Sequence, residues 1–142
     1  MILSQKWGSL FVLLLLFFRA LPAQAQARDT QNSTRFEHIT VEDGLPHATV
    51  LGVLQDQQGF IWFSTADGLS RYDGREFKNF QHESNNPNSL SNNNTFALLE
   101  SSDGLIWVGT DPGGLDVYDP TTGNFTHYVH DEDNPNSLAD DS

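Results

Sequence analysis

The sequence predicts an all-β fold of propeller blades, each a four-stranded antiparallel meander, on three observations. First, the 142-residue chain repeats itself. Gln58-Gly59-Phe60-Ile61-Trp62-Phe63-Ser64-Thr65 returns as Asp103-Gly104-Leu105-Ile106-Trp107-Val108-Gly109-Thr110 at a shift of 45. Gly68-Leu69 and Tyr72-Asp73 return as Gly114-Leu115 and Tyr118-Asp119 at 46, and Asn86-Pro87-Asn88-Ser89-Leu90 as Asn134-Pro135-Asn136-Ser137-Leu138 at 48. The shift grows only at joints, where a repeated unit tolerates insertions. Second, each unit divides into four short runs punctuated by Gly, Asp and Pro, the signature of strands joined by tight turns. Third, the second run of each unit (60–63 and 105–108) is apolar on both faces, whereas a sheet with one wet face alternates. A strand buried on both sides needs sheets above and below it, and stacked blades supply them. Helical repeats would show a 3.6-residue pattern, which is missing. The alternative arrangement of the same runs is a β-sandwich of two meanders.

The elements follow in order. Residues 10–18 form an apolar run too short for the roughly 20 residues that span a bilayer. Lys6 precedes it, and Ala23-Gln24-Ala25 and Ala25-Gln26-Ala27 follow it. That order describes a secretory signal peptide over 1–27, cleaved after Ala27 or after Ala25. The alternative is a buried helix of the folded domain. Residues 28–35 are polar and aperiodic and read as a flexible lead-in. Residues 45–50 align with 90–95 at a shift of 45, so 36–41 occupy the place of an outermost strand, an orphan without its own blade. The first blade covers 49–80, with runs at 49–55, 60–65, 69–72 and 77–80. The second covers 95–128, with runs at 95–100, 105–110, 115–118 and 125–128. Residues 129–142 are a linker, and the next inner strand would start just beyond. The expected core is Trp62, Trp107, Phe60, Ile61, Ile106, Leu69, Leu115, Tyr72 and Tyr118. Phe77 and Phe80 are three apart, so strict alternation puts them on opposite faces unless a bulge or bend intervenes.

Composition narrows the function. Seven Lys+Arg against 19 Asp+Glu give −12, which speaks against nucleic-acid binding, since phosphate neutralisation needs a basic surface. With no cysteine there is no disulfide, thiolate metal site or thiol nucleophile. No G-x-S-x-G or P-loop signature occurs. Asp67-Gly68 and Asp73-Gly74 fit turn chemistry better than acid–base pairs. Asp131-Glu132-Asp133 suggests calcium, but Glu83-Ser84-Asn85 stands in its place one repeat earlier, so a solvated loop is expected. His127 and His130, three apart on or after an outer strand, lack the i, i+4 helical zinc spacing. Accordingly no catalytic, cofactor-binding or metal residue is assigned. Ligands of propellers meet the loops at one end of the channel, here 45–48, 67–68, 91–94 and 112–114.

The chain also resembles a known family. Phe36-Glu37-His38-Ile39-Thr40-Val41-Glu42-Asp43-Gly44-Leu45, the run from Gly59 to Gly74, its second copy with Trp107 and Tyr118-Asp119-Pro120, and the Asn-Pro-Asn-Ser-Leu linker are together similar to the start of two-component regulator propeller proteins. The resemblance covers 36–142. It implies the N-terminal periplasmic sensor part of a receptor anchored in the inner membrane, followed by further blades, an immunoglobulin-like domain, one membrane helix and a cytoplasmic output. That output is commonly the histidine kinase of a hybrid two-component phosphorelay, and in other members a diguanylate cyclase. The ligand implied is unknown in identity, with glycans sensed by many members. None of the output motifs lies in these residues, so against the family the chain is truncated. The competing expectations are a free exported binding module and a propeller polysaccharide lyase.

Overall fold

The computed structural model describes residues 36–141. The signal peptide predicted over 1–27, with cleavage after Ala27 or Ala25, and the lead-in 28–35 lie outside the described residues. Two four-stranded antiparallel sheets, each in simple meander order, make up the described chain. The first holds β1 (Val50–Gln55), β2 (Ile61–Thr65), β3 (Gly68–Tyr72) and β4 (Phe77–Phe80). The second holds β5 (Thr95–Glu100), β6 (Ile106–Thr110), β7 (Gly114–Asp119) and β8 (Asn124–Tyr128). The innermost strand of each breaks register at one residue, between Val50 and Gly52 and between Thr95 and Ala97, so even the irregularity repeats.

Strand pairing sorts the side chains onto two faces, because directly opposed residues point the same way. In the first sheet Leu54, Trp62 and Arg71 are opposed in turn, as are Ser64, Leu69 and Phe80. We term this the tryptophan face. Val53, Phe63, Ser70 and Asn79 line the opposite, tyrosine face, together with Ile61, Tyr72 and Phe77. In the second sheet Trp107 and Leu99 mark the tryptophan face, and Ile106, Tyr118 and Phe125 the tyrosine face. The tryptophan face of the first sheet packs on the tyrosine face of the second. One apolar layer results, holding Trp62, Leu69, Ile106, Val108, Tyr118 and Phe125, closed at its rim by Leu90 from the connecting segment.

This packing places Phe77 and Phe80 without any bulge. Phe80 stacks on Trp62 at 5.8 Å inside the layer, while Phe77 stacks on Tyr72 at 4.5 Å on the far side. A blade needs an aromatic residue on each face of its outer strand, and a spacing of three delivers one to each. The turn between β2 and β3 requires glycine on two counts. Gly68 has φ of +114°, and a Cβ there would stand 2.5 Å from the carbonyl oxygen of Phe80.

Two expectations are corrected. Residues 36–41 form no strand: 36–40 are exposed, and Val41–Asp43 is a 3₁₀ turn. Thr40 caps that turn, accepting from the Glu42 amide at 3.2 Å, while the Thr40 amide donates to Asp43 at 2.8 Å. An outermost strand forms only on the free edge of a sheet, and the three inner strands it would complete are not among the described residues. The predicted core is also split. Trp62, Leu69, Ile106 and Tyr118 are buried, whereas Trp107, Phe60, Ile61, Leu115 and Tyr72 are half-buried. Trp107 and Leu115 lie on a face with no sheet above it among the described residues; Ile61 and Tyr72 lie on the outer face of the first blade, which among the described residues is covered only in part, by the segment before β1. Equivalent residues differ in burial because only one of their two neighbours is present.

That difference has a measurable consequence. Trp62→Ala should destabilise the chain by about 3–5 kcal/mol through cavity formation. Trp107→Ala should cost roughly half as much, and denaturant titration of the two variants separates them. A second expectation concerns alkali. Burial pushes the Tyr118 phenol above its ordinary value, against the opposing field of Arg71. A raised folded-state value means the stability is complete below the ordinary phenol range near 10 and falls as pH climbs through it. Tyr118→Phe should flatten that alkaline decline in melting temperature.

Candidate functional site

One end of the two blades gathers the segments 67–68, 91–94 and 110–114. Its centre is Thr95, wholly buried at the start of β5. The Thr95 hydroxyl oxygen accepts the Thr65 amide at 2.9 Å and lies 3.1 and 3.0 Å from the carbonyl oxygens of Thr65 and Gly68. A buried hydroxyl offers one donor and two acceptor positions, so a single side chain ties the second blade to the first blade's β2–β3 turn. Around it, the Asn93 carbonyl accepts from Gly68 at 2.6 Å, and the Asn93 amide group donates to Asp67 at 3.0 Å. The Ser91 and Thr110 hydroxyls lie 2.8 Å apart, and Asp111 donates its amide to the Asn94 carbonyl at 3.0 Å. A Cβ on Gly113 would stand 2.5 Å from the Thr110 hydroxyl and 2.6 Å from that of Ser91. Three of the four predicted loops therefore converge. The fourth, 45–48, holds the equivalent place on the first blade, where the Thr49 carbonyl accepts the Ala66 amide at 3.3 Å.

A second constellation was not foreseen. Asp116 is buried with no exposed surface, at the middle of β7. One carboxylate oxygen lies 2.6 Å from His127 Nδ1, and the other accepts the Ser91 amide at 2.8 Å. His127 Nε2 in turn lies 3.1 Å from the Pro87 carbonyl oxygen. The pair thus holds both ends of the connecting segment 87–91 against the second blade. In the first blade Ser70 and Asn79 occupy these positions, 2.5 Å apart, and the residue matching Ser91 is Pro46, which has no N–H to offer a carboxylate. The signal was present in the sequence as an acidic residue flanked by Leu115 and Val117 within a strand.

The other conspicuous residues do structural work. Asp73 accepts the amides of Arg75 and Glu76, both at 2.8 Å, and these bonds hold its carboxyl below the usual range. Asp119 is lowered likewise by the Thr121 amide. Asp131 accepts the Asp133 amide at 3.0 Å in a turn where Asn134 donates to its carbonyl. His130 Nδ1 meets the Leu138 carbonyl at 2.7 Å, away from the Asp116–His127 pair. Among the described residues no group of three or more His, Asp or Glu is placed to hold a metal ion. The converged end gathers amides, hydroxyls and carboxylates that bond one another across the two blades.

Comparison with known proteins agrees with the repeat. Residues 44–67 and 89–111 match the model of the two component regulator propeller. Each matched segment runs from the end of a connecting segment through the tryptophan-bearing strand. Histidine kinase P4 of Formosa agariphila is 33 % identical over 81 residues, covering 57 % of this chain and 6 % of that protein. The extracellular domain of a hybrid two component system of B. thetaiotaomicron, BT3049, superposes with a TM-score of 0.69 at 30 % identity, over 75 % of this chain and 15 % of that one. A second such domain, BT4673, is 28 % identical over 59 % of this chain and 12 % of that one, with a TM-score of 0.48. The chain therefore spans a small part of the length of each protein it matches.

Asp116→Ala should leave the Ser91 amide and the His127 ring without their acceptor and cost about 1–3 kcal/mol. Ser70→Ala, which removes only the smaller counterpart, should cost less, and parallel urea titrations test the ranking.

Proposed function

The chain belongs to the two-component regulator propeller family, and from that premise we propose that its blades are part of a ligand-sensing propeller, exported to the periplasm and joined to a histidine-kinase output that lies outside these residues. The supporting observation is the recurrence of blade and connecting segment, with a segment of each copy, 44–67 and 89–111, matched by the family model. The extracellular domain it superposes on belongs to a hybrid two component system, and the related kinase points the same way. The partners of this reading are further propeller blades, the membrane-spanning and kinase parts of a parent receptor, and a ligand of polar, hydroxyl-rich chemistry such as a glycan.

The converged loops are where such a ligand would bind. Asn94 and Asp111 touch one another only through the backbone, which leaves their side chains available to a sugar's hydroxyls. To signal, the ligand must bind one receptor state better than the other, since equal affinity shifts nothing. Titration with a panel of neutral and acidic oligosaccharides, read by calorimetry, tests the reading. Asn94→Ala and Asp111→Ala should each weaken binding about tenfold, equivalent to about 1.4 kcal/mol, with the melting temperature unchanged. Absence of binding to the whole panel would remove the sensing proposal while leaving the fold intact.

A further inference from the structure

The blade scaffold repeats, so a feature carried by one blade and not the other is not required by the scaffold. Among the described residues there are three Lys or Arg, namely Arg71, Arg75 and Lys78, against 18 Asp and Glu. All three lie on the β3–β4 hairpin, at the end of the first blade away from the converged loops. Arg71 and Lys78 are directly opposed across the two strands, on the tryptophan face. Like charges so placed repel and lower stability. The second blade pairs Val117 with Thr126 at the same two positions, so the strands form without the charges.

No acidic partner answers them. Neither side chain forms an ion pair or donates a hydrogen bond among the described residues. Both lie over rings instead. The Arg71 guanidinium is 4.3 Å from the centre of Phe60 and 5.9 Å from that of Trp62, and the Lys78 ammonium is 4.9 Å from that of Phe80. The rings hold the cations in place and leave the guanidinium fork and the ammonium donors for an acceptor.

Beside them the hairpin forms a cleft of about 140 Å³, lined by Arg71, Asp73, Glu76, Phe77 and Lys78. That is below the roughly 300–1,000 Å³ of a pocket that encloses a small molecule, so the cleft takes one group of a ligand. Of its two acids, Asp73 is engaged by the turn: it accepts the Arg75 and Glu76 amides, as Asp119 accepts the Thr121 amide in the second blade. Lys78 also lines a groove of about 240 Å³ that runs between the blades past Phe80, Asn88 and Phe125. Asn88 bonds there only through its backbone.

We propose that Arg71 and Lys78 form an oxyanion site that binds the carboxylate or sulfate group of a small ligand. Arg71 supplies the planar fork that matches such a group, and Lys78 a point charge beside it. The bound group relieves the repulsion between the two cations, so the pair destabilises the unliganded hairpin and stabilises the liganded one. Both blades that frame the site are described, and the proposal does not rest on ligand sensing at the converged loops.

The test titrates the full chain with sulfate, glucuronate and glucose at constant ionic strength, read by backbone amide chemical shifts. Sulfate and glucuronate should shift the amides of 71–78, and glucose should not. Equal affinity for the two acids identifies a free oxyanion as the ligand; tighter binding of glucuronate identifies one carried on a sugar. Lys78→Thr and Arg71→Gln should each weaken binding about tenfold. Glu76→Gln, which removes the acid not engaged by the turn, should tighten it, and Asn94→Ala at the loop end should leave it unchanged. Lys78→Thr introduces the residue the second blade already carries, so its melting temperature without ligand should equal or exceed that of wild type. Equal shifts with glucose, a hairpin that no probe shifts, or wild-type affinity in Lys78→Thr overturns the proposal. A response to an acidic peptide alone overturns it as well, and makes the hairpin a surface for docking protein.

Discussion

The apolar layer between the two sheets is the constraint on which the rest depends. Trp62 and Phe80 enter it from one blade, Ile106, Tyr118 and Phe125 from the other, and the rings meet at centroid separations of 4.9–5.8 Å. Burying a residue the size of Trp62 is favourable only if its indole N–H is also satisfied. Asp56 meets that requirement at 2.7 Å, while its other oxygen accepts the amides of Gln58 and Phe60 and shapes the β1–β2 turn. One carboxylate therefore serves the turn and the core together. In the second blade Ser101 stands in its place and bonds Asp103 instead, at a position where the half-buried Trp107 has less need of an internal acceptor.

The connecting segment fixes how far one blade rotates against the next. Its Asn-Pro-Asn-Ser core is a pair of nested turns: Asn86 donates to the Glu83 carbonyl, Ser89 to the Asn86 carbonyl, and the Asn86 side chain accepts the Asn88 amide. Asn134, Asn136 and Ser137 reproduce each bond. The His82 ring meets the Leu90 carbonyl as the His130 ring meets that of Leu138. The sequence repeated whole in both copies repeats its bonds as well, the side chains of its first Asn and of its Ser closing the same turn each time. What lies between those turns and the next blade, 90–94, is then delivered to the β2–β3 turn with little freedom left.

The strands, their order and their turns were legible in the sequence because each rests on local chemistry: glycine at positive φ, period-two alternation, and apolar runs of fixed length. Trp62 as a core residue was legible for the same reason. The burial of Trp107 was not, because it depends on which neighbour is present rather than on the residue or its register. The orphan strand at 36–41 failed for a related cause, since its place was read from the repeat register, and register yields a strand only where an edge exists to pair with. Asp116 escaped notice, and His127 was weighed only against a zinc spacing, because an acid inside a strand looks like a solvent-facing position until the partner, Ser91, is brought to it from 25 residues away. The converged loops were legible as a group, from topology, while their mutual bonds were not.

These observations bear on how a binding event at the loop end would be felt. Several of the bonds there run between blades: Thr95 reaches Thr65, Asn93 reaches Asp67 and Gly68, and Ser64 donates to the Phe96 carbonyl at 3.1 Å. Shifting any one of these loops means moving one sheet against another, and a close-packed apolar layer resists small displacements and yields only by repacking. In the proposed sensor, then, a ligand spanning 67–68 and 91–94 acts on the relative setting of two blades. The same layer that makes the structure stable is what would carry the displacement from blade to blade around a closed propeller.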